Sequence, residues 1–275
     1  MGPVSLTVAD LDAASGFYQR VIGLGHLGDD AAGTVRLGAG DTTLVELVGE
    51  RDAPPRPRAT TGLFHLAILV PDRAALAAAM RRVGGSGWRF TGASDHLVSE
   101  ALYLNDPEGN GVEIYRDRPR EEWDYRDGQL QMDTLPLDLA SLLAVEGGDP
   151  ERMPAPTTIG HVHLNVSDIP AAERFYADTL GFEVTIRGYP GALFVSAGGY
   201  HHHLGLNVWN GDGAPAPPVG SRGLRHYEVG LPSADDVGQA AARLEAAGFD
   251  VEPRNGGIHS RDPAGNGVTA RVKKG

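Results

Sequence analysis

Residues 106–115 read DPEGNGVEIY, and residues 262–271 read DPAGNGVTAR. Both begin Asp-Pro-x-Gly-Asn-Gly-Val, a turn signal that runs into an apolar strand. They part at one chemically important place. Seven residues after its aspartate the first copy carries Glu113, whereas the second carries Thr269. The shared part points to a repeated structural unit. The differing part asks where the chemistry sits, because only one copy offers a carboxylate.

The repeat is larger than this phrase. Four stretches alternate like half-buried strands and end in a turn: PVSLTVADL from Pro3, HLAILVPDR from His65, HVHLNVSDI from His161 and HYEVGLPSA from His226. Asp10, Asp72, Asp168 and Ser233 stand at the matching turn position, where each suits a helix N-cap. A helical pattern follows each one. LDAASGFYQRVIGL and IPAAERFYADTLGF share a Phe-Tyr pair. RAALAAAMRRVGG and ADDVGQAAARLEAAGF are Ala-rich, amphipathic and closed by glycine. Short β-rich runs come next, so the unit is strand, helix and about three strands. The pattern places two units in 1–117 and two in 158–275. Between them, 118–157 is polar and Pro-rich, and PLDLASLLAVE within it predicts a short helix packed on the body.

Composition narrows the function. The chain has 275 residues, 41% of them hydrophobic, and no cysteine, which rules out disulfides, thiolate metal sites and a Cys nucleophile. A net charge of −12 argues against a nucleic-acid partner. The sequence lacks a long apolar run and a basic, apolar leader, so neither a membrane partner nor a signal peptide is expected, and the cytoplasm is the expected location.

With FY…LG on its first helix and DPxGNxxE on its last strand, the unit resembles the vicinal oxygen chelate superfamily of glyoxalases, bleomycin resistance proteins and extradiol dioxygenases. SAGGYHHHLGLN (196–207), SEALYLNDPEGNGVEIYRDRPR (99–120) and MDTLPLDL (132–139) are similar to the four-module catechol 2,3-dioxygenases of the bacillus type. The resemblance implies an α+β fold of four βαβββ modules, paired so that mixed sheets curl into two cup-shaped barrels. It also implies one metal ion, held by side chains from the first and last strands of paired modules.

The first-strand position is Pro3, His65, His161 and His226 in the four modules, and the last-strand acid position holds Glu46, Glu113, no acid and Thr269. Modules one and two together offer Glu46, His65 and Glu113, a glyoxalase-like set spoiled by Pro3. Modules three and four offer His161 and His226 without an acid. Modules two and three offer His65, His161 and Glu113, the two-histidine, one-carboxylate set of non-haem Fe(II) oxygenases. That inner set is the expected metal site, Fe(II) being the first candidate and Mn(II), Ni(II) or Zn(II) the alternatives. The resemblance further implies that His202, within the run His201–His203, acts as acid–base, and that Tyr103 bonds a substrate oxygen. His96 is placed at the same mouth. His163 shares a strand face with His161. A lone strand histidine is ordinarily a hydrogen-bonded packing residue, which is the plain reading of His226.

The implied partners are an aromatic diol and O2, and the implied reaction is extradiol ring cleavage; association with further copies of the chain stays open. Two rivals remain: a glyoxalase-like isomerase or lyase using Glu46, and a non-catalytic protein that sequesters small molecules. A fold shared by many chemistries does not choose among them.

Overall fold

The computed structural model describes residues 1–126, 129–254 and 256–273; residues 127 and 128 of the expected linker lie outside the described residues. The fold is α+β, built from four βαβββ modules. Module one contains β1 (Val4–Val8), α1 (Leu11–Phe17), β2 (Gly25–Asp29), β3 (Val35–Ala39) and β4 (Thr42–Gly49). Module two contains β5 (Gly62–Leu69), α2 (Arg73–Gly85), β6 (Phe90–Asp95), β7 (Ser99–Asn105) and β8 (Gly111–Asp117). Between the second and third modules lie β9 (Tyr125–Arg126), β10 (Gln129–Leu130), β11 (Leu135–Pro136) and α3 (Leu139–Leu143). Module three contains β12 (Thr158–Asn165), α4 (Ile169–Glu173), β13 (Glu183–Ile186), β14 (Ala192–Ser196) and β15 (Leu204–Asn207). Module four contains β16 (Gly223–Leu231), α5 (Ala234–Ala246), β17 (Glu252–Arg254), β18 (Gly257–Arg261) and β19 (Gly267–Val272).

The helices begin where the turn residues direct. Asp10, Asp72 and Asp168 accept from the backbone N–H three residues on, at 2.9, 2.8 and 2.7 Å, and Ser233 Oγ accepts from Asp236 N at 3.2 Å. In the two helices bearing the Phe-Tyr pair, the α-helix gives way to a wider π turn, Tyr18–Ile22 and Arg174–Thr179. Among the described residues, no helix is long and apolar enough to cross a membrane, which says nothing of membrane β-barrels.

Contacts divide the chain into two units. One comprises Met1–Thr7, Ala53–Phe64 and His161–Gly275, the other Val8–Asp52 and His65–Gly160. In each module the helix carries the chain across, so first and last strands can pair in parallel, and tight turns give antiparallel neighbours. In the first unit, β12 runs parallel to β15, with antiparallel β14 and β13 beyond. There β16 runs parallel to β19, with antiparallel β18 and β17 beyond, and β1 pairs antiparallel with β16 on its other edge. In the second unit, β5 runs parallel to β8, followed by antiparallel β7, β6 and β11. The strands β2, β3 and β4 form an antiparallel meander. The linker packs on its own unit: Arg81 donates to the carbonyls of Val145 and Gly147 (2.8 and 2.7 Å), and Arg73 reaches Ser141 of α3.

The repeated phrase is a fastening. Asp106 accepts from Glu108 N, Asn110 N and Asn110 Nδ2 at 2.8–2.9 Å, which closes the turn, and from Tyr18 Oη at 3.3 Å. Asp262 repeats the pattern with Ala264 N, Asn266 N, Asn266 Nδ2 and Tyr176 Oη. The tyrosine of each Phe-Tyr pair therefore ties its helix to the turn of the next module. Burial pushes the Asp106 carboxyl up to about 6 and raises that of Asp262, against the pull of these hydrogen bonds. The Asp, Asn and Tyr positions recur because they hold the fold; the strand that follows is free to differ.

Candidate metal centre

In the parallel pair β5 and β8, His65 lies beside Gly111 and Ala67 beside Glu113. Side chains two apart share a strand face, so His65 and Glu113 point the same way. His65 Nε2 and Glu113 Oε2 are 2.9 Å apart, and both residues are buried. Tyr103 of β7 lies directly across from Glu113, with its ring 5.7 Å from that of His65. Ala67 and Ala101 keep this face low and pack with Tyr115, Leu69 and Tyr103.

Tyr103 leads to His96. Its Oη is 2.7 Å from His96 Nε2, and His96 Nδ1 is 2.7 Å from the Asp133 carbonyl. A carbonyl only accepts, so the neutral imidazole carries its proton on Nδ1 and accepts from the Tyr103 hydroxyl at Nε2. The turn holding His96 is firmly tied. Leu97 adopts a left-handed φ of 69°, its N–H donates to Asp95, and Arg118 pairs with Asp95 at 2.5 Å.

His161 stands on β12, directly after Gly160. A side chain at 160 would overlap the Tyr115 hydroxyl, at 1.7 Å, and crowd Leu69 Cβ, at 3.1 Å, so glycine is required for the strand to lie this close. His65, Glu113 and His161 each offer one ligand atom, and these atoms lie within 4.8 Å of one another; all three residues are buried. This is the one such group found among the described residues.

The histidine run divides its roles. The His202 ring centroid is 4.2 Å from that of His161 and 4.9 Å from that of Phe194. His201 Nδ1 lies 2.7 Å from His202 Nδ1, so one ring donates and the other accepts. His203 is only half-buried; its Nδ1 accepts from Ala197 N at 3.2 Å and so serves the loop.

Module three lacks the acid for a visible reason. Its register sets His163 beside Gly205, as module two sets Ala67 beside Glu113. A Cβ at 205 would stand 2.8 Å from the His163 ring. Small-then-large in one module becomes large-then-small in the other. His163 also belongs to an aromatic group that the sequence reading missed, with Phe64, Phe194 and Trp209 at centroid distances of 5.1, 5.7 and 5.2 Å. Phe64 and Trp209 are 41% and 45% exposed. Their positions on separate elements left no local pattern to read. Glu46 lies across from Arg36 in the β3–β4 pair. Thr269 takes a hydrogen-bonding contact with His259, and His226 is buried in module four.

A family model for the Glyoxalase/Bleomycin resistance protein/Dioxygenase superfamily matches residues 1–114 and 158–269. The catechol-2,3-dioxygenase of Bacillus subtilis (strain 168) is 42% identical over 269 residues, spanning 96% of this chain and 93% of that protein. A crystal structure from Bacillus subtilis subsp. subtilis str. 168 superposes with a TM-score of 0.69 at 15% identity, covering 100% of this chain and 86% of that chain. Glyoxalase I from Zea mays superposes with a TM-score of 0.63 at 16% identity, covering 99% and 92%. The structural matches, at such identities, speak for the fold alone. Four βαβββ modules, the family match over all four of them and a full-length relative at this identity lead to one statement: the chain belongs to the glyoxalase/bleomycin resistance protein/dioxygenase superfamily.

Proposed function

We propose that this protein is a metal-dependent extradiol dioxygenase that opens a catechol-type ring with O2. The observation that carries the reading is the buried group of His65, Glu113 and His161, in a chain 42% identical to a catechol-2,3-dioxygenase. The donor set fits a divalent ion. Adjacent ligands ~2.1 Å from an ion stand ~3 Å apart, and His65 Nε2 and Glu113 Oε2 are 2.9 Å apart. Two imidazoles and one carboxylate suit Fe(II) and leave coordination positions open. When bound, such an ion supplies acidification of a chelated diol and brings it next to O2.

The remaining work falls to the side chains. His202, packed beside His161, takes a phenolic proton and later returns it; His201 holds the ring in one tautomer through the Nδ1–Nδ1 contact. Tyr103 donates to His96, so its oxygen lone pairs face the diol as acceptors. Phe64, Phe194 and Trp209 supply an apolar wall for the aromatic ring.

The test is anaerobic reconstitution with Fe(II), Mn(II) or Ni(II), followed by catechols, hydroquinones and hemithioacetals in turn. The expected result is a yellow ring-opened semialdehyde from a catechol, with O2 consumed in equal amount. Turnover of hemithioacetals alone, without O2 uptake, replaces this reading with the isomerase. Absence of bound metal replaces it with the sequestering protein.

A further inference from the structure

Module four repeats the geometry of module two with different side chains. In module two one row across the sheet reads Ala67, Glu113, Tyr103. The matching row in module four reads Glu228, Thr269, His259, Glu252. Thr269 thus occupies the place of Glu113, His259 that of Tyr103, and His226, two residues before Glu228, that of His65. His226, Thr269 and His259 are buried.

This face is polar and tilted towards positive charge. Strand alternation puts Arg254, Arg261 and Arg271 on it, against Glu228 and Glu252. Arg271 closes on Glu228, and Glu252 is exposed. Arg254 pairs with no carboxylate among the described residues; its Nη1 reaches His259 Nδ1 at 3.4 Å. Thr269 Oγ1 is 3.1 Å from the same nitrogen. A nitrogen that faces a guanidinium accepts, so neutral His259 carries its proton on Nε2, where it is available as a donor. The His226 ring lies 5.9 Å from that of His259, and its Nδ1 is buried with no hydrogen-bond partner among the described residues. A buried polar nitrogen without a partner is costly, and a ligand atom removes that cost. Burial, then the charges of Arg254, His259, Arg225 and Arg271, hold the His226 imidazole down to about 3, so the ring is neutral near pH 7. Arg254 and His259 also border a cleft of about 820 Å³, which Arg261 and the acids Asp250, Glu252 and Asp262 line as well.

We propose that this face of module four is a metal-free oxyanion site for a small carboxylate or phosphate, held by the Arg254 guanidinium, the imidazoles of His226 and His259 and the hydroxyl of Thr269. The planar guanidinium matches either oxyanion in a forked geometry, and loss of the acid at 269 removes both a metal ligand and a repelling charge. The exchange of Glu for Thr between the two copies of the repeated phrase then exchanges a cation for an anion.

The experiment titrates the metal-loaded protein with sodium benzoate and, separately, inorganic phosphate, at constant ionic strength, by calorimetry and imidazole NMR. The expected result is saturable binding of one anion per chain, with shifts of the His226 and His259 resonances. Preference for benzoate or phosphate identifies the ligand class. Arg254→Gln should weaken binding about tenfold or more, the worth of one charge-assisted hydrogen bond. Thr269→Glu should abolish it, while Glu113→Gln leaves it unchanged. Retained metal content and melting temperature in Arg254→Gln show that the variant is folded. The proposal is overturned if neither anion saturates at millimolar concentration, if Arg254→Gln binds as tightly as the parent, or if metal content falls in His226→Ala.

Discussion

Glu113→Thr writes the second copy of the repeated phrase into the first. In the metal-free protein two effects oppose. His65 loses a charge-assisted partner 2.9 Å away, worth about 1.5–3 kcal/mol. The interior is also relieved of a carboxylate, whose burial costs a few kcal/mol. The net change should stay within about 1 kcal/mol, or roughly 2–4 °C in melting temperature for a chain of this size. The metal-loaded protein should behave differently. At a free-ion concentration a hundredfold above Kd, binding stabilises the native state by about 2.7 kcal/mol, or roughly 5–11 °C. Glu113→Thr removes one of three ligands and should erase that rise. The assay is anaerobic thermal unfolding with and without Fe(II), beside metal analysis, with Thr269→Ala as a control that keeps the full rise. One metal per chain and an undiminished rise in Glu113→Thr would refute the assignment of the carboxylate.

Three further outcomes are expected. His202→Phe should keep its metal yet slow turnover by roughly 10²–10⁴-fold, the usual worth of a positioned acid or base, with Tyr103→Phe costing less; steady-state O2 uptake measures both. Tyr176→Phe removes a buried donor 2.9 Å from Asp262 and should cost about 1–2 kcal/mol in denaturant unfolding, more than Tyr18→Phe, whose bond to Asp106 is 3.3 Å long. His226 has a folded pKa of about 3 against an unfolded value near ~6.5, so the unfolded chain takes up a proton that the folded one refuses. The stability it confers is present above pH ~6.5 and is lost as pH falls towards 3. About 2 kcal/mol should disappear between pH ~6.5 and ~5, and His226→Asn should flatten that slope in unfolding measured across the interval.

Much of the architecture is local and was therefore legible. Asp10, Asp72, Asp168 and Ser233 announce their helices because an N-cap acts on an N–H three residues away. The alternation from Pro3, His65, His161 and His226 announces four first strands because a strand face repeats every second residue. The π turns at Tyr18 and Arg174 were not legible, since the residues there also suit an ordinary helix. Nor was the bond from Tyr18 to Asp106, although both motifs were recognised; sequence shows two motifs, and only the folded chain shows that they touch.

The candidate site divides in the same way. Residue types at the first- and last-strand positions that the family resemblance singles out made His65, Glu113 and His161 candidates and removed Thr269 from the list. They could not say which histidines share a place with which acid, because strand pairing is a long-range choice made by packing and hydrogen bonding over the whole sheet. The pairing of β1 with β16, the close approach that Gly160 permits and the exchange of bulk between His163 and Gly205 belong to that choice. So does the surrounding of His226, where side chains from β16, β17, β18 and β19 meet. A sequence lists the groups able to hold a ligand; the distances between them arise only when distant strands are hydrogen-bonded into one sheet.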